Sequence, residues 1–159
     1  MSGEKVMKEI IIEDQDSSDA FEPVYVRRAQ YYETDQMGII HHSNYIRWFE
    51  EARLDFMEKM GLSYDKVEEM GIIIPVLSAS CQYKTMVRYN DVVDIHTEIT
   101  RFSGVKMTVI YRVTDHESGE LRCTGETSHG FLDRDYRPVR MKRDYPELYE
   151  MLMRHVAEE

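Results

Sequence analysis

Between Asn44 and Gly61 apolar side chains recur with the period of a helix. Tyr45, Trp48, Phe49, Ala52, Phe56 and Met60 fall at i, i+3, i+4, i+7, i+11 and i+15, and Arg47, Glu50, Glu51 and Asp55 lie off that stripe. Ser43 or Asn44 is a natural N-cap and Gly61 a natural stop. The span of about seventeen residues corresponds to roughly 25 Å of helix. Its stripe holds the only tryptophan and two of the five phenylalanines, so the helix must be deeply covered.

Elsewhere the period is two. Val24–Tyr32 is rich in β-formers and ends at the turn residues Glu33–Gly38. Ser63–Val67 adds a short helical turn. Ile72–Lys84 is apolar and β-branched, with Pro75 near its start, where a strand tolerates it. Along Asp91–Arg101, Val93, Ile95, Thr97 and Ile99 share one face. Along Val105–Val113, Met107, Val109 and Tyr111 alternate with polar residues. Ser103-Gly104 and His116–Gly119 are hairpin connections, and Leu121–Leu132 is the last long strand. Strands on either side of such short turns must be antiparallel neighbours, because a parallel pair needs a long crossover. Asp144–Glu147 reads as a capping box opening a terminal helix, whose stripe is Tyr145, Leu148, Tyr149, Leu152 and Val156. The element order predicts an α+β fold: a curved antiparallel β-sheet wrapped around one long central helix.

At 159 residues the chain suits a single domain, residues 23–159, after a leader. The formal net charge is −10. That balance argues against nucleic acid or an anionic membrane as a partner. Half of the excess lies in residues 1–22, where seven acids face only Lys5 and Lys8. This segment is expected to be an acidic, mobile leader, although Met7 and Ile10–Ile12 could dock on a sheet edge. The longest apolar stretch, Gly71–Leu77, is far short of a membrane span, and the start lacks a signal-peptide layout. The two cysteines, Cys81 and Cys123, have no metal-site spacing and read as core thiols of a cytoplasmic protein.

The run Tyr31-Tyr32-Glu33-Thr34-Asp35-Gln36-Met37-Gly38-Ile39-Ile40-His41-His42-Ser43-Asn44-Tyr45-Ile46-Arg47-Trp48-Phe49-Glu50-Glu51-Ala52-Arg53 closely resembles the signature of hotdog-fold acyl-CoA thioesterases of the 4-hydroxybenzoyl-CoA thioesterase branch. That signature joins an Asp, a small or Gly step, an apolar pair, an aromatic or His, Asn-Tyr or Ser-Tyr, and an apolar-aromatic helix ending in Ala-Arg. The order of the β-rich remainder agrees, so the resemblance extends over residues 23–140. It implies a hotdog fold and acyl-CoA hydrolysis without cofactor or metal. It also implies a pocket between two subunits, hence a homodimer or homotetramer.

By the same resemblance Asp35 corresponds to the catalytic carboxylate, which would attack the thioester carbonyl or activate water. As a residue in its own right, Asp35 is also an ordinary turn former. His42 corresponds to the position whose backbone N–H holds the thioester oxygen. A helix entrance, with unpaired N–H groups and a positive dipole end, suits that task. The imidazole of His42 either adds a hydrogen bond or only packs. His41 and His42 are adjacent, point apart and lack a third ligand nearby, which argues against a metal. Tyr45 is a candidate for the acyl pocket. Arg88, Arg101 and Lys106 are candidates for the coenzyme A phosphates, the last two flanking the Ser103-Gly104 turn, although relatives carry consecutive basic residues there. Glu50 and Glu51 are assigned to solvent or an interface, and His129 to the sheet interior. Two alternatives stand beside acyl-CoA hydrolysis: an acyl-carrier-protein thioesterase, disfavoured by the acidic surface, and a non-catalytic acyl-binding protein, disfavoured by Asp35 and the helix entrance. A hydratase of the same fold is disfavoured because its Asp and His pairing is absent.

Overall fold

The computed structural model describes residues 22–157. The expected leader lies outside the described residues apart from Glu22, as does any docking of Met7 and Ile10–Ile12. The chain runs through β1 (Val24–Arg28), a 3₁₀ turn (Tyr31–Glu33), α1 (Ser43–Lys59), α2 (Tyr64–Glu69), β2 (Val76–Tyr83), β3 (Val92–Phe102), β4 (Lys106–Asp115), β5 (Leu121–Gly130), α3 (Met141–Asp144) and α4 (Pro146–Arg154). The strands form one antiparallel sheet in the order β1-β3-β4-β5-β2. The hairpin neighbours β3–β4 and β4–β5 are those the short turns require. β1 and β2 come from distant parts of the chain and close the two edges.

Alternation places the predicted faces inside. Val93, Ile95, Thr97 and Ile99 of β3 are buried, as are Met107, Val109, Tyr111 and Val113 of β4. Against them lies α1, whose Tyr45, Trp48, Phe49, Ala52 and Phe56 are buried. The Phe49 ring stacks on Tyr111 at 4.4 Å and 9°. Gly125 on β5 makes room for it, since a Cβ there would collide with the Phe49 ring. The C-terminus finishes the edge of β3 beyond the reach of β1: Ala157 N–H donates to Ile99 O at 2.8 Å.

Four local expectations are corrected. The first strand stops at Arg28, and Tyr31 and Tyr32, exposed at 75% and 79%, sit in the 3₁₀ turn. α1 begins at Ser43, with His42 already helical (φ −54°, ψ −30°). Neither Ser43 nor Asn44 caps it; the buried Asn44 amide instead donates to Glu33 O at 2.9 Å and His41 O at 3.3 Å. β2 starts only at Val76, because Ile73 leaves to bridge Leu132. At the C-terminus Asp144 closes α3 rather than capping α4: its carboxylate accepts the Arg140 N–H and pairs with Arg143. α4 opens with Pro146 in its first turn, where the missing N–H costs nothing. Tyr145, Leu148 and Leu152 are buried as expected, joined by Met151.

Candidate active site

Thr34 and Ile40 form an antiparallel bridge around a tight loop. Within it Asp35 N–H donates to Ile39 O at 2.8 Å and Gly38 N–H to Asp35 O at 3.0 Å. Gly38 has φ +77°, a left-handed conformation that a glycine takes without a Cβ penalty. The Asp35 carboxylate accepts the Met37 N–H on Oδ1 at 2.8 Å, and Oδ2 accepts no hydrogen bond among the described residues. One oxygen orients the group and the other stays available.

The loop is tied to the helix entrance through Glu33. Its carbonyl accepts the His41 N–H and the Asn44 amide. Its buried carboxylate accepts Trp48 Nε1 at 2.8 Å, Gln30 N–H at 2.8 Å and the Arg27 guanidinium at 3.0 and 3.1 Å. Arg27 also bonds Glu51, to which Tyr25 donates. Charge-assisted bonds of this kind are short and directional. They hold β1, the 3₁₀ turn and α1 in one geometry, and they place Glu51 in an ion pair rather than in the site.

At the start of α1 the orphan donors find partners with one exception. Ser43 N–H donates to His41 Nδ1 at 3.2 Å, Asn44 N–H to His41 O at 3.0 Å and Tyr45 N–H to His42 O at 3.4 Å. The His42 N–H has no hydrogen-bond acceptor among the described residues. The Tyr83 hydroxyl donates to His42 O at 3.0 Å and so holds the next peptide unit, joined to the one that carries this N–H at the His42 Cα. The imidazole of His42 is exposed and, against the expectation that the two adjacent rings point apart, lies over His41 with centroids 4.1 Å apart.

Asp35, His42 and Tyr45 line one cleft of about 250 Å³, with Met37, Ile39, Ile40 and the segment Tyr83–Met86 completing its walls. Tyr45 is 3% exposed, packs on Trp48 and Tyr83 at 5.1 and 5.2 Å, and has its phenol pushed up to about 12 by burial. It serves as core and as cleft wall together. Arg88 is exposed beside the cleft, its backbone bridged to Ile39. Arg101 and Lys106 are not brought to this cleft. Lys106 pairs with Gly130 at the far end of β4, roughly 20 Å along the strand from the residues beside Tyr83. The basic residue that lines the cleft is Lys84, whose Nζ donates to Gln82 Oε1 at 3.2 Å. Its place at the exit of β2 was the available signal.

His129 lies inside the sheet, fully buried, with Nε2 bonded to Thr127 Oγ1 at 2.8 Å. Thr127 bonds the Tyr111 hydroxyl at 2.7 Å, which accepts from Arg53 at 3.3 Å. Burial, aided by the Arg53 charge, lowers the His129 pKa to about 4, so the ring is neutral. Arg53 also lines a second cleft of about 310 Å³ with Glu50, Leu54, Tyr64 and Val76, near the start of β2.

The thioesterase-like superfamily model matches residues 29–154. The chain belongs to this superfamily. The solved structure of a DHNA-CoA thioesterase from Staphylococcus aureus superposes with a TM-score of 0.78 at 36% identity, covering 82% of this chain and 88% of that one. YneP of Bacillus subtilis (strain 168), named provisionally as an acyl-CoA thioesterase, is 31% identical over 119 residues, 74% of this chain and 86% of the relative. A provisionally named esterase of Aquifex aeolicus (strain VF5) is 44% identical over 90 residues, 57% of this chain and 70% of the relative. The sheet around a central helix is the hotdog fold, and this superfamily member is a thioester hydrolase. No helix among the described residues is long and apolar enough to cross a membrane.

Proposed function

We propose that the chain hydrolyses an acyl-CoA thioester to the free acid and coenzyme A. The carrying observation is the shared cleft, lined both by Asp35, which has one carboxylate oxygen unengaged, and by His42, whose N–H has no acceptor among the described residues. In this reading the thioester oxygen takes the His42 N–H at the positive end of a 17-residue helix, so that charge developing on it is stabilised. Asp35 Oδ2 either attacks the carbonyl, giving a mixed anhydride that water then opens, or removes a proton from the attacking water. Neither route requires a metal or cofactor. Tyr45 and Tyr83 wall the acyl side, Lys84 of the cleft lining is assigned to the phosphates of the nucleotide, and the exposed Arg88, bridged through its backbone to Ile39, is the second candidate for them. The relatives named for CoA thioesters support CoA over a carrier protein as the leaving group. The two unpaired cysteines suit the cytoplasm.

The working unit in this proposal is at least a homodimer joined along β2. That strand is an edge, and Val76, Leu77 and Tyr83 on it are about half exposed (50%, 52% and 50%). A twofold antiparallel pairing of β2 with its copy sets the Val76 end of one strand beside the Tyr83 end of the other. The second cleft of one copy then adjoins the Asp35 cleft of its partner and lengthens the acyl site.

The test is a hydrolysis screen with thiol detection over short, long and aromatic acyl-CoAs, with acyl-carrier-protein thioesters in parallel. Asp35→Asn keeps the shape and the Met37 hydrogen bond but removes the nucleophile or base. The expected outcome is turnover of at least one acyl-CoA, reduced about 10²-fold to 10⁴-fold by Asp35→Asn with KM largely kept. Parent-level turnover in the variant would show that Asp35 is not the working group.

A further inference from the structure

β2 and β5 pair with Cys81 opposite Gly125 and Tyr83 opposite Cys123. Directly opposed residues share a sheet face. That face packs on α1, because Gly125 abuts Phe49 and Cys123 is fully buried. Cys81, Cys123 and Tyr83 are therefore together on the inner side of the sheet, behind the cleft wall. The two sulfurs are 3.0 Å apart, and both cysteines are free thiols. They are diagonal neighbours, and closing a bond of about 2.05 Å needs an approach of only about 1 Å.

The thiols are not equivalent. The hydrogen bond from Cys123 lowers the Cys81 pKa to about 7, and the same contact together with burial pushes the Cys123 thiol up. Of the two, Cys81 is the thiol that ionises more readily. Cys81 is also the half-buried member, so it is the one a small reagent meets. A partly exposed thiol in contact with a second, buried thiol is the arrangement of an attacking and a resolving cysteine.

We propose that Cys81 and Cys123 form a reversible dithiol–disulfide couple that resets the active-site wall, with a low-molecular-weight disulfide as the oxidant. The Cys81 thiolate attacks one sulfur of the reagent disulfide, forming a mixed disulfide and expelling one reagent thiolate. Cys123 then gives up its proton and attacks Cys81 Sγ, expelling the second reagent thiolate. The two cysteines lose two electrons and two protons in total, and the reagent is reduced to two thiols. Diagonal pairs lie at the long end of disulfide reach, so the bond draws β2 toward β5. Bonds formed under such strain are readily reduced. The displacement falls beside Tyr83, whose hydroxyl holds the His42 carbonyl, and so reaches the N–H proposed to polarise the thioester.

The experiment treats the full chain with oxidised glutathione and follows intact mass, a non-reducing peptide map and acyl-CoA turnover. The expected result is the loss of two hydrogens without a retained glutathione. A cross-link between the Cys81 and Cys123 peptides accompanies it. Cys81→Ser gains neither the bond nor an adduct at Cys123. Recovery of only stable glutathione adducts, or of unmodified thiols under conditions that oxidise the unfolded chain, overturns the couple. These mass readings do not depend on hydrolysis. The effect on the cleft rests on the proposed function: turnover is expected to fall at least threefold and return with dithiothreitol. Equal turnover of the two forms overturns that link.

Discussion

At the scale of single residues, two substitutions at one position separate the amide from the ring. His42→Ala removes the imidazole and keeps the N–H. His42→Pro removes the N–H itself, at a φ of −54° that proline adopts readily. The proline variant is expected to lose about 10²-fold to 10³-fold in kcat, the cost of one oxyanion donor, and the alanine variant about tenfold or less. Equal losses in the two folded variants would assign the work to the imidazole. His129 makes a separate prediction about pH. Its folded pKa of about 4 lies below the ordinary 6.5, so below about pH 6.5 the unfolded chain binds a proton that the folded chain refuses. Stability should be level above that pH and fall between pH 6.5 and 4. The decrease is up to about 3 kcal/mol at the rate of about 1.4 kcal/mol per pKa unit. Chemical denaturation across this range, compared with His129→Gln, isolates the contribution; a variant with the same slope would remove His129 from the account.

Among elements, α1 and the hairpin strands were legible because each buries a face at its own period. The stripe from Tyr45 to Phe56 and the alternation of β3 and β4 carry their burial in the sequence itself. The 3₁₀ turn at Tyr31–Glu33 was not legible. Two tyrosines favour a strand locally, and only the buried Glu33 carboxylate, with Arg27 and Trp48 from two other elements, overrides them. The place of β2 beside β5 was equally hidden, since no short connection links them. Arg101 and Lys106 were candidates by turn position, which says nothing about the end of the sheet at which the turn lies. Packing between α1 and β5 depends on one missing side chain. In Gly125→Ala the new methyl meets Phe49, which its stack on Tyr111 prevents from yielding. A loss of about 1–3 kcal/mol is expected, read as a drop of several degrees in Tm with the same far-ultraviolet circular dichroism. An unchanged Tm would mean that the Phe49–Tyr111 stack moves freely.

For the molecule as a whole, the superfamily match begins at residue 29 and β1 at Val24. Deleting residues 1–20 is therefore expected to leave Tm and turnover close to those of the full chain. A fall of several degrees would show that Ile10–Ile12 pack on the domain. Light scattering at micromolar concentration is expected to give a dimer or larger assembly, and a stable monomer would remove the proposed β2 pairing. Tyr83 gives that pairing a kinetic consequence. The strand assigned to join two copies is the one whose last residue grips the His42 carbonyl, so in the proposed dimer separating the copies frees the strand that steadies the residue proposed to polarise the thioester. Specific activity should then decline on dilution below the dissociation constant, and the initial rate should rise more steeply than first order in enzyme. If association merely scaffolds the fold, the rate stays proportional to chain concentration throughout.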